Sequence, residues 1–183
     1  MSKQQPDALV LSESQQFPAK FRSVHLATCN AAGEPEASYA AYVERDGHYY
    51  VYVSELAAHT TNLRETGRCA ALFIESEADA QHLFARKRLT LKCTATETPR
   101  GSAEFNTILD AFEAKFGHFM AMMRKLADFH LFKLTAEHGN YVAGFAKAYA
   151  LDGAGLSDIR LRNDQGHRPE DRRTQTELDA AIE

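Results

Sequence analysis

The sequence predicts a mainly β protein: an antiparallel barrel with helices set against it. Three observations predict this. The middle of the chain is a series of short β-rich runs separated by turn signals, no βαβ rhythm is present, and aromatic residues fall on both faces of the run His48 to Val53. The chain has 183 residues, 44% of them hydrophobic and 25% charged, enough for one core and typical of a globular protein. Its net charge of −4 supplies no overall basic excess for nucleic acid.

The elements follow in order. Residues 1–16 are polar apart from Ala8-Leu9-Val10-Leu11 and are expected to form a flexible segment. That run is too short for a signal-peptide core or a membrane span, so a cytoplasmic protein without a membrane partner is expected. Phe21 to Cys29 and Glu34 to Glu44 read as a hairpin around Asn30-Ala31-Ala32-Gly33, and Asp46-Gly47 is a strong signal for a second. In His48 to Val53, Tyr49, Val51 and Val53 alternate with Tyr50 and Tyr52, so both faces are expected to be covered. Ser54 reads as the N-cap of a helix from Glu55 to Glu65, closed by Gly67.

Strands are expected from Cys69 to Ile74 and from Arg86 to Thr96. Phe105, Ile108, Leu109, Phe112, Phe116, Phe119, Met120 and Met123 then recur at three- and four-residue spacing, which is a helical core face broken near Gly117. Two last strands, Phe129 to Thr135 and Tyr141 to Tyr149, flank an expected turn at Glu137-His138-Gly139-Asn140. The domain is expected to span 17–151, followed by a polar tail at 152–183. Cys29, Cys69 and Cys93 form no CxxC pair and read as buried thiols. His25, His48, His82, His118, His130 and His138 lack zinc-ligand spacing. Hydrolase, P-loop and Rossmann motifs are absent.

Several stretches together resemble a known family. Ser54-Glu55-Leu56-Ala57-Ala58-His59-Thr60-Thr61-Asn62-Leu63 is similar to the S-x-L-A-x-H-x-x-N-L helix of the pyridoxamine 5′-phosphate oxidase-like split barrels. Phe84 to Leu91 resembles the R-x-R-L-T strand of that superfamily's heme-utilisation branch, the HutZ/HugZ proteins. Asp128 to Leu134 and Gly144 to Tyr149 resemble that branch's closing strands, and Gly166-His167-Arg168 sits in a tail where the branch carries its heme ligand. The resemblance implies an antiparallel split β-barrel of the FMN-binding type, a homodimer, and oxidative opening of heme with dioxygen and an external electron donor. The same superfamily leaves two alternatives: an FMN-dependent oxidoreductase, and a non-enzymatic heme carrier or storage protein.

It also implies roles. His167 would ligate heme iron, against a solvated surface histidine otherwise. Asp128 would accept that imidazole's other N–H, against a turn carboxylate. Arg86 and Arg88, on one strand face with Thr90, would hold heme propionates or an FMN phosphate, against a solvated strand edge. His59 and Asn62, near a helix N-terminus, would bind an anion, against hydrogen bonding within the fold.

Overall fold

A computed structural model describes residues 4–162. Helix α1 (Gln4–Gln16) leads through a 3-10 turn, Phe17–Lys20, into the strands β1 (Ser23–Cys29), β2 (Pro35–Arg45) and β3 (His48–Ser54). Helix α2 (Ala58–Thr66), β4 (Arg68–Ile74) and β5 (Arg88–Thr98) follow, then helices α3 (Ala103–Phe116) and α4 (Phe119–Met123). The long strand β6 (Phe129–Gly144), β7 (Lys147–Asp152) and β8 (Asp158–Leu161) complete the described chain.

Every ladder is antiparallel. Strands run in the order β3-β2-β1-β4-β5-β6, and pairing of β3 with β6 closes a six-stranded barrel. On one side β6 changes partner along its length: Phe129 to Leu134 pair with β3, and Gly139 to Gly144 pair with β7. β7 and β8 thus extend the sheet beyond the closed barrel, which gives the split-barrel architecture.

The Asp46-Gly47 hairpin is formed, with both residues at positive φ (52° and 75°) as a tight β-hairpin requires. Alternation then sorts the aromatics. Tyr49, Val51 and Val53 enter the barrel core with Leu26, Phe73, Leu91 and Phe132. Tyr50 and Tyr52 face outward beneath α3 and α4, packed with Phe105, Ile108, Leu109, Phe112 and Met120. Ser102 caps α3 by accepting from the Phe105 N–H at 3.1 Å, and Gly117, at φ 86°, separates α3 from α4. Cys69 and Cys93 lie directly opposite each other on β4 and β5, free and buried, while Cys29 is partly exposed. Contact with Cys69 and burial both push the Cys93 thiol's pKa up, so it stays protonated.

Four expectations are corrected. Residues 4–16 form a helix rather than a flexible segment: Val10 and Leu11 pack on the core, Ser14 is buried, and Glu13 bonds Lys87 at 2.6 Å. The ordered sheet continues past residue 151 into β8. Glu137 to Asn140 is no turn but a bulge in one continuous β6, where Lys92 pairs with His138 and Cys93 with Ala136. Gly139 stands there because a Cβ would lie 3.1 Å from Leu151 and 3.2 Å from Leu91. The short helix begins at Ala58, with Ala57 rather than Ser54 at its N-cap position.

Candidate functional site

Helices α3 and α4 cover the outer face of β2, β3 and β6. Among the described residues, the outer face from β1 through β4 to β5 carries no helix. Cross-strand register arranges its outward residues in rows. One row is Ala37, Ala27, Ala70 and Lys92; the next is Tyr39, His25, Leu72 and Thr90. Tyr39 is 70% exposed although it sits mid-strand, and small neighbours leave the face flat.

Arg88 and Thr90 point out from this face, since Leu89 and Leu91, which alternate with them, are buried in the barrel. Arg88 neighbours Ile74 on one side and Val142 on the other. The expected pairing of Arg86 with Arg88 on one strand face does not form, because β5 begins only at Arg88. Arg86 ends a 3-10 turn, Leu83–Ala85, and its guanidinium is spent within the loop. Its Nε donates to the Glu75 carbonyl at 2.9 Å, an Nη donates to the same oxygen, and the other Nη lies 3.5 Å from Glu77. Lys87 is bound to Glu13. Of this basic cluster, Arg88 is the cation presented by the strand itself.

His59 and Asn62 are also placed differently from an anion-binding pair. Both are buried and both fasten α2 to the barrel: His59 Nδ1 lies 2.9 Å from Ser38 Oγ, and Asn62 Nδ2 donates to Thr28 Oγ1 at 3.0 Å. Burial lowers the His59 pKa, against the opposing charge of Glu36, which favours the neutral ring. A neutral buried imidazole is a poor partner for phosphate.

Asp128 immediately precedes β6 at the α2 end of the barrel. Its Oδ2 accepts from Ser54 Oγ at 3.0 Å, and its carbonyl accepts from the Glu55 N–H at 2.8 Å. Beside it His130 is bracketed by carboxylates, Nε2 2.7 Å from Glu55 and Nδ1 2.6 Å from Glu97. Arg64 completes the cluster with a 3.0 Å bond to Glu97. Burial raises the Glu97 pKa, but hydrogen bonds from Arg64 and His130 outweigh it and hold the carboxyl below its usual range. This network was missed in the sequence. Its one signal is Ser54, and a serine before a helix reads first as a cap.

Asp128 and Arg88 therefore lie at opposite ends of one barrel. Strand β6 is 16 residues long, roughly 50 Å at about 3.3 Å per residue, with Asp128 before its first residue and Val142, beside Arg88, near its last. The described chain ends near Arg88 too: Arg162 N–H donates to the Ala148 carbonyl at 2.8 Å, and Ala148 pairs with Val142. His167 lies outside the described residues. Among the described residues, no group of three or more His, Cys, Asp or Glu is placed to hold a metal ion, and no helix is long and apolar enough to cross a membrane.

Comparison with known proteins adds relatives. A family model described as pyridoxamine 5′-phosphate oxidase matches residues 10–143. Heme oxygenase HutZ of Vibrio cholerae is 35% identical over 156 residues, covering 85% of this chain and 88% of that protein. The crystal structure of HutZ, there described as the heme storage protein from Vibrio cholerae, matches with a TM-score of 0.66 at 34% identity, over 69% of this chain and 89% of that one. The crystal structure of Campylobacter jejuni ChuZ matches with a TM-score of 0.81 at 32% identity, over 90% of this chain and 66% of that one.

Proposed function

This chain belongs to the pyridoxamine 5′-phosphate oxidase-like split-barrel family, in its heme-utilisation branch, and on that premise we propose that it binds and degrades heme as a homodimer in the cytoplasm, releasing iron. The relationship to heme oxygenase HutZ over 85% of the chain carries this reading.

The donor set suits the ligand. Heme is a flat, largely apolar ring with two carboxylates. The open sheet face offers the Arg88 guanidinium and Thr90 hydroxyl for a carboxylate, with Leu72 and Val142 as apolar surface beside them. His167 supplies the imidazole. On this reading His167 joins the Arg88 end of its own chain, the end at which the described residues stop. A two-fold axis lying between two such faces and running across the strands reverses the partner barrel and brings the partner subunit's Asp128 end to this chain's Arg88 end. The site is then shared: Arg88, Thr90 and His167 from one chain, Asp128 from the other.

Bound heme, with electrons from an external donor and dioxygen, supplies the oxidative chemistry. The protein's residues do the rest. Arg88 neutralises and orients a propionate. His167 fixes the iron in the cleft. Asp128 accepts the other imidazole N–H, which sets the ring's orientation and raises its basicity.

The flavin reading is weakened at the residues it needs, because His59, Asn62 and Arg86 are engaged inside the fold. A storage role shares the ligand and differs in outcome. Hemin titration followed by ascorbate under air separates the three. Expected are a Soret band that His167→Ala shifts or abolishes, and its bleaching with iron release on reduction. A Soret band that persists under ascorbate means storage. A yellow protein that ignores hemin means flavin chemistry.

A further inference from the structure

The Asp128 carboxylate is held on one side only. Ser54 Oγ donates to Oδ2 at 3.0 Å, while Oδ1 has no partner among the described residues. Ser54 is itself fixed three ways. Its Oγ accepts from the Leu56 N–H at 3.2 Å, its carbonyl accepts from Thr60 Oγ1 at 2.5 Å, and its backbone pairs with Phe129, the residue after Asp128. The turn beyond it is pinned by the Glu55 N–H to the Asp128 carbonyl and by the Glu55 carboxylate to His130. The one hydroxyl therefore does two things: it accepts from the turn that leads into α2, and it donates to the carboxylate that precedes β6.

We propose that Ser54 is a positioning residue for heme ligation: by occupying Oδ2 it presents Oδ1 of Asp128 to the N–H of the heme-ligating imidazole. This rests on the heme reading above. A carboxylate free to rotate would populate that orientation only part of the time, whereas one anchored at a single oxygen is preorganised. The serine hydroxyl acts through Asp128 and touches neither heme nor His167.

The test uses full-length Ser54→Ala, Ser54→Thr and Asp128→Asn, each checked for an unchanged apo-protein Tm and then loaded with hemin. The main readout is the iron–histidine stretching band of the ferrous form, whose frequency follows the strength of the bond at the far imidazole nitrogen. In Ser54→Ala the band is expected to fall part of the way towards its position in Asp128→Asn. Heme loss with ascorbate is expected to slow about tenfold. Ser54→Thr keeps the hydroxyl and is expected to restore both. If Ser54→Ala fails to fold, Ser54→Cys fills the same space with a much weaker donor and carries the same expectation. A wild-type band in Ser54→Ala overturns the proposal while leaving the heme reading standing, and so does an Asp128→Asn band at the wild-type position. Wild-type protein that binds no hemin overturns both.

Discussion

His59 and Asn62 close one end of the barrel, and their partners decide their chemistry. A histidine near a helix start is an anion site when its ring is open and charged; His59 is buried against Ser38, and burial lowers its pKa below the usual 6.5. Above pH 6.5 the folded and unfolded chains both hold it neutral. As pH falls from 6.5 through the depressed folded value, the unfolded chain takes up a proton that the native chain resists, so stability is lost. Urea unfolding is therefore expected to show a midpoint that drops between pH 7.5 and 5.5, by more in wild type than in His59→Gln, which keeps a hydrogen-bonding side chain without the titration. Placement on elements was legible in the sequence: Arg88 and Thr90 share one face of β5, and Asp128 directly precedes β6. Their partners were not. Whether Arg86 faces solvent or the Glu75 carbonyl depends on where β5 begins, and no local signal marks that.

At the scale of elements, periodicity was readable where one element packs on another with a regular stripe. The α3–α4 face and the two-sided aromatics of β3 are of this kind. Elements fixed by single long-range contacts were not readable. Helix α1 has no sustained apolar stripe; it is held by Val10, Leu11 and the Glu13–Lys87 bond, whose far partner lies beyond four strands. The Glu137 to Asn140 stretch has a turn's composition but a bulge's geometry, because β5 and β7 pair on either side of it. Burial raises the Glu13 pKa, but the hydrogen bond and charge of Lys87, with the charge of Lys20, outweigh it and hold the carboxyl below 4.5. The bond's contribution is thus fully present above pH 4.5 and is lost as pH falls through the depressed value. For a part-exposed pair it amounts to no more than about 1 kcal/mol. Lys87→Met is expected to speed amide exchange in residues 8–16 by up to roughly fivefold at pH 7 while leaving β1 and β4 amides unchanged. Equal protection of α1 in both proteins would show that its docking does not depend on the ion pair.

At the scale of the molecule, the proposed reading gives one barrel half a site at each end. Arg88 and the chain end at Arg162 lie together, and Asp128 with its Ser54 anchor lies at the far end of β6. The open face between them, with exposed Tyr39 and a row of alanines, is the surface on which a second copy would complete both halves. Mixing two defective chains tests this most directly. On the proposed reading neither His167→Ala nor Asp128→Asn homodimers contain a complete site, but a mixed dimer contains one, built from His167 of the Asp128→Asn chain and Asp128 of the His167→Ala chain. After unfolding and refolding together at equal concentration, about a quarter of all sites should regain the wild-type iron–histidine band and heme turnover, as random pairing dictates. A mixture that behaves as the plain sum of its two defective parents would contradict a site shared between chains.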